Sequence, residues 1–225
     1  MTILSGCNTP ESTPPESNKN VENETPIETV TVDYKWLDVS NTTYNFGSST
    51  PDFSYSNKTI FVNKNSGNTS GNDLRNMLLS SLGRQEVTGF EADVKIGNHM
   101  NSCGFELSGP PSYSGYWFMV KSDGSFVIKL HDYKTGTIID TPLLTQSAGR
   151  SHINLDDFNT IKMISLPNGK DAEVYVNGNL VYTIRDLIFT KGTFAIYYQA
   201  KKGNYSNSRT ATAEYKVKSI QKINN

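Results

Sequence analysis

Residues 89–96 read Gly-Phe-Glu-Ala-Asp-Val-Lys-Ile, and the alternation is unbroken. In an extended chain Phe90, Ala92, Val94 and Ile96 fall on one side, while Glu91, Asp93 and Lys95 fall on the other. A helix would scatter both sets around its axis, so the stretch predicts a strand with one face in a core. The same period returns along the chain, broken by turn residues. Residues 116–120 and 125–130 flank Ser122-Asp123-Gly124, which predicts a hairpin. Residues 160–165 run into Pro167-Asn168-Gly169. Residues 172–176 and 180–184 flank Asn177-Gly178-Asn179; Asn-Gly suits a turn whose two central residues need positive φ. Residues 193–199 and 213–223 supply two further strands. Residues 41–72 are rich in Asn, Ser, Thr and Gly, and hold short pieces such as 59–62, so edge strands and long loops are expected there.

One segment admits two forms. Leu74, Met77, Leu78 and Leu82 have helical spacing behind Asn72 or Asp73 as a cap, yet 77–79 also suits a short buried strand. The strand character of its neighbours favours the strand. There is no repeat of 20–50 residues and no strand–helix alternation. The expectation is therefore an all-β, two-sheet antiparallel sandwich. A length of 225 residues suits one large β domain. Twelve Tyr and ten Phe, with abundant Asn, Ser, Thr and Gly, agree with strands and polar turns.

A net charge of -1 with interspersed signs offers no basic field for nucleic acid or an anionic membrane. No run of about 18 apolar residues occurs, so no helical bilayer span is expected. The two cysteines, Cys7 and Cys103, make no disulfide framework, and Cys103 suits a buried small hydrophobe. His99, His131 and His152 are too scattered for a zinc site or a Ser-His-Asp triad.

Leu4-Ser5-Gly6-Cys7 resembles the bacterial lipobox, in which the cysteine becomes the lipidated first residue. Residues 8–30 are dominated by Pro, Glu, Ser, Thr and Asn and cannot bury enough surface to offset ordering. The resemblance implies a lipoprotein exported by a signal peptide. It would be extracytoplasmic, at the cell surface or in the periplasm, and would touch the membrane only through a lipid on Cys7. Residues 1–30 would be lipobox and tether, and 31–225 the folded domain.

The order of elements from Phe90 onward carries a further resemblance. Phe90-Glu91-Ala92-Asp93-Val94, Cys103-Gly104-Phe105-Glu106-Leu107 and Tyr116-Trp117-Phe118-Met119-Val120 with Asp123-Gly124-Ser125-Phe126 come first. Phe158-Asn159-Thr160-Ile161-Lys162-Met163, Val174-Tyr175-Val176-Asn177-Gly178 and Lys191-Gly192-Thr193-Phe194-Ala195-Ile196 follow. Together they resemble the laminin G-like and concanavalin A-like lectin/glucanase superfamily, and bacterial domains related to 3-keto-disaccharide hydrolases. The resemblance implies a jelly roll of two curved antiparallel sheets but no single activity, since this fold hosts lectins, hydrolases and adhesion modules.

Retaining glucanases of that superfamily carry carboxylates at i, i+2 and i+4 of one strand, so that all three share a face. Here Glu91 and Asp93 fill i and i+2, but i+4 is Lys95; an ordinary polar strand face explains the pair as well. Glu106, from a neighbouring strand, is the remaining candidate acid. Calcium is common in related domains, yet none of the Asp-bearing loops has a coordination pattern, and no cofactor is predicted. A sugar site needs an aromatic platform and a few planar polar groups. With Phe194, Ile196 and Tyr198 inward, Tyr197 and Gln199 point out. With Phe126, Ile128 and Leu130 inward, Lys129 and His131 point out, and Phe105 and Leu107 inward turn Glu106 outward. Trp117 joins this set if its register faces out. The expected function is a surface-anchored, non-enzymatic module for a polysaccharide or for adhesion. The alternatives are a glycoside hydrolase using Glu91, Asp93 or Glu106, and a structural domain of a surface complex.

Overall fold

A computed structural model of the chain describes residues 31–44, 52–65, 74–78, 86–109, 114–134, 137–201 and 210–224. Cys7 and the rest of residues 1–30 lie outside them. In chain order the strands are β1 (Tyr34–Asp38), β2 (Phe53–Ser56), β3 (Thr59–Asn65), β4 (Leu74–Leu78), β5 (Gly89–Ile96), β6 (Met100–Gly109) and β7 (Ser114–Lys121). They continue with β8 (Phe126–Lys134), β9 (Thr137–Gln146), β10 (Asn159–Ser165), β11 (Ala172–Val176), β12 (Asn179–Ile184), β13 (Thr193–Ala200) and β14 (Thr210–Ile223).

These strands form two antiparallel sheets. One runs β12-β11-β10-β5-β14-β3-β2, and the other β4-β13-β6-β7-β8-β9. Strand β14 is long enough for its first half to pair with β3 and its second half with β1. The predicted turns close the expected hairpins. Asn177 and Gly178 sit at φ 49° and 80° between β11 and β12. A Cβ on Gly178 would meet nothing within 4 Å, so the glycine is there for its backbone angle and not for space.

The alternation read at residues 89–96 is the alternation observed. Phe90, Ala92 and Val94 are fully buried, as are Phe126 and Ile196 of the opposite sheet. Phe90 meets Phe105, Phe118 and Phe194 across the gap, with ring centroids 5.4, 5.3 and 4.7 Å away. Each such ring contributes roughly 1.5–3 kcal/mol through its removal from water. The Tyr215 hydroxyl of β14 crosses the core and donates to the Tyr197 carbonyl of β13 at 2.7 Å, tying one sheet to the backbone of the other.

Residues 74–78 form a strand, β4, beside β13. Residues 79–82, the rest of that ambiguous stretch, lie outside the described residues. Strand β9 was not among the expected elements. It contains Pro142, which lacks the N–H a central strand needs, and accordingly it lies at the edge of its sheet.

Candidate functional site

Because β6, β7, β8 and β13 send alternate residues inward, the other half of each stands on the outer face of the six-stranded sheet. Register places Glu106 beside Trp117, and Trp117 beside Lys129. It also places Tyr197 beside Gly104, Gln199 beside Ser102, and His131 beside Gly115. Trp117 thus faces outward and does not join the main core. It forms a second apolar cluster with Met119, Val127 and Tyr197.

This cluster is not the open platform that the sequence suggested. Trp117 is 7% exposed and Tyr197 2%, so the aromatics are buried although they stand on an outer face. Packing against each other explains it. The Trp117 ring lies 4.9 Å from that of Tyr197 at 36°, and 4.7 Å from the imidazole of His131 at 10°.

Polar groups surround the rings. His131 Nδ1 is 2.8 Å from Asp140 Oδ1 on β9, and Lys129 Nζ is 3.7 Å from the other oxygen of that carboxylate. Ser102 Oγ donates to Gln199 Oε1 at 3.3 Å and lies 3.3 Å from the Tyr197 hydroxyl. The Tyr197 phenol is pushed up by burial, partly offset by Ser102. Beside the cluster lies a groove of about 310 Å³ whose lining includes Asn101, Lys121, Lys129, Tyr197 and Gln199 over Met119.

Glu106 is 7% exposed on this face. Burial raises its pKa, while the Trp117 indole, the His131 charge and Ser108 pull the other way. The indole N–H of the buried Trp117 acts on this carboxyl group. An acid whose pKa is raised on folding contributes its full stability below the ordinary carboxylate range. That contribution is lost as pH rises through the folded value. Glu106→Gln removes the titration. The variant should therefore melt above the wild type at neutral pH, and the gap should close as the pH falls towards about 4. A gap independent of pH in thermal melts would contradict this.

The other two candidate acids lie elsewhere. Strand β5 belongs to the eight-stranded sheet, so Glu91 and Asp93 occupy its outer face, on the opposite side of the sandwich from Glu106. The proposed joining of Glu106 to these acids from a neighbouring strand is thereby overturned: β5 and β6 follow each other in sequence but lie in different sheets. Glu91 pairs with Lys162 at 3.0 Å. Asp93 pairs with Lys218 at 2.7 Å and accepts from Thr160 at 2.7 Å. Glu91 and Lys162 line a second pocket, of about 370 Å³, with Tyr175 and Asn177. Among the described residues no group of three His, Cys, Asp or Glu converges where a metal ion could sit. Cys103 is fully buried and its thiol is pushed well up by desolvation, as suits a core residue.

Sequence reasoning missed Ser102, Asn101 and Lys121, and weighed Asp140 only as a carboxylate for calcium. Strand alternation would have turned Ser102 and Lys121 to the same face as Glu106 and Trp117. The place of Asp140 on this face was hidden because β9 itself was not recognised.

No family model matches the chain, and no curated protein matches it in sequence. Solved structures do share the fold. A prokaryotic β-1,3-1,4-glucanase (lichenase) derived from a mouse hindgut metagenome matches with a TM-score of 0.52 at 10% identity, over 83% of this chain and 92% of its own. The Bacillus licheniformis β-glucanase matches at 0.51 and 12%, over 85% and 92%. The catalytic domain of an endo-1,3-β-glucanase (laminarinase) from Thermotoga petrophila RKU-1 matches at 0.51 and 11%, over 78% and 81%. At such identities the likeness shows the fold alone, a jelly roll of two antiparallel sheets that these glucanases share.

Proposed function

We propose that this chain is a surface-anchored module that binds a polysaccharide on the outer face of its six-stranded sheet. One observation carries the reading. A cluster of Trp117, Tyr197 and His131 adjoins a groove edged by Asn101, Gln199, Lys121 and Lys129. Rings that pack against the apolar faces of sugars, beside amides and amines that pair with hydroxyls, make the pairing such a ligand requires. The three solved structures of like fold described above are glucanases by name, which supports a polysaccharide ligand. The lipobox-like Leu4-Ser5-Gly6-Cys7 and the polar residues 8–30 support anchoring through Cys7, with the domain held clear of the membrane.

Binding is favoured over hydrolysis because the candidate acids are divided between opposite faces. A retaining pair needs carboxyl groups about 5–5.5 Å apart. Asp140, on the same face as Glu106, stands three strands away, roughly 14 Å along the sheet at backbone level. It is also engaged by His131 and Lys129. Glu106 itself supports a second reading, since a carboxyl group buried against an indole is the setting of a general acid.

Gln199→Ala tests the first reading better than a Tyr197 substitution, because Tyr197 is buried and its loss would disturb packing. On an array of soluble and immobilised polysaccharides the wild type should bind. The variant should bind about tenfold more weakly, the size expected for one or two lost hydrogen bonds. Absence of wild-type binding to every glycan, or equal binding by the variant, would refute the proposal. Release of reducing sugar that disappears in Glu106→Gln would establish the second reading instead.

A further inference from the structure

We infer that the imidazole of His131 holds the place on Trp117 that a sugar ring takes on binding; this rests on the carbohydrate-binding reading above. The two rings are parallel to within 10° at 4.7 Å, the face-to-face packing that a flat sugar face would also adopt. The cross-strand partners of His131 are Gly115 on β7, which has no side chain to hold the imidazole, and Asp140 on β9. Its hydrogen-bonding tie is to Asp140 on the edge strand β9, the two side chains 16% and 39% exposed and the carboxylate shared with Lys129. A partly exposed tie of this kind contributes little to stability. Trp117, in contrast, is held by Tyr197 and Met119 and stays where it is.

The Trp117 indole N–H acts on the Glu106 carboxyl group, so the indole is anchored at its edge as well as by packing. The imidazole therefore acts as a replaceable cover. It keeps the indole face from water and sets a threshold that a ring-shaped ligand must exceed to displace it.

The chain has two tryptophans, so Trp36→Phe leaves Trp117 as the sole indole. In that background His131→Ala should make Trp117 fluorescence more readily quenched by acrylamide. In affinity gels cast with soluble β-1,3-glucan or β-1,3-1,4-glucan, His131→Ala should bind about two- to tenfold more tightly than wild type. That is the gain expected when no stacked pair has to be separated first. His131→Phe, which keeps a ring in the slot, should bind no more tightly than wild type. Unchanged quenching, or binding by His131→Ala that is equal or weaker, overturns the inference while leaving the carbohydrate reading in place. Absence of binding by wild type and both variants overturns the carbohydrate reading, and the sugar as occupant with it. The quenching result then still reports whether His131 covers Trp117.

Discussion

Asn159→Ala is expected to lower the stability of the domain by about 3 kcal/mol, measured by denaturant unfolding. The residue opens β10, is fully buried, and uses both ends of its amide. Its Oδ1 accepts from the Asn154 backbone N–H at 2.7 Å and from Asn177 Nδ2 at 3.0 Å. Its Nδ2 donates to the carbonyls of Asn154 at 2.7 Å and Asp157 at 3.1 Å. Asn177 in turn donates to the His152 carbonyl at 2.7 Å and accepts from the Thr160 N–H at 2.8 Å. One side chain thus fastens the loop before β10 to the turn between β11 and β12. Alanine would leave several of these groups without partners, at about 1–3 kcal/mol for each that water does not reach. Asn159→Asp is the sharper control. A carboxylate keeps both acceptors for the N–H groups but has no donor for the two carbonyls, so it should also destabilise. A loss below about 1 kcal/mol for both variants would mean that the loop is held by other contacts.

How far this domain could be read from its sequence follows the range of the forces involved. The inward set Phe90, Ala92, Val94 and Ile96 was legible because alternation is a property of one strand. The turn at Asn177-Gly178 was legible because positive φ selects those residues locally. The outward positions of Tyr197, Gln199, Lys129, His131 and Glu106 followed from the same alternation. Sheet membership did not, since it depends on which strands meet after the chain turns back. Glu91 and Glu106 differ by 15 positions and by the whole thickness of the sandwich. Exposure was equally hidden. Alternation says that Trp117 leaves the core; only the pairing of β13, β6, β7 and β8 says that Tyr197 and His131 will close around it. Asn159 was visible as the partner of Phe158 at a strand start, but the partners of its amide lie up to 18 residues away.

The second large effect lies beneath the proposed binding face. Gly104→Ala is expected to destabilise the domain by about 3 kcal/mol or more and to abolish binding in whatever fraction remains folded. A Cβ at this position would stand 1.9 Å from the Phe118 carbonyl oxygen and 3.3 Å from the Met119 Cα, both backbone atoms of β7. Flexible side chains could yield to such an intrusion, but a paired central strand yields only by breaking its ladder. Strand β6 lies between β13 and β7, so the disturbance reaches Tyr197 on one side and Met119 on the other. Those two residues belong to the cluster that holds Trp117. The Tyr197 backbone is also fixed from below by the Tyr215 hydroxyl, so it has little freedom to follow a displaced partner. Gly178→Ala separates this effect from a general cost of losing glycine. It meets nothing within 4 Å and should cost only its positive-φ strain, about 1 kcal/mol, with binding intact. Equal losses from the two substitutions would remove the case for close approach. A Gly104→Ala variant of wild-type stability and affinity would mean that β6 and β7 do not meet as closely as described.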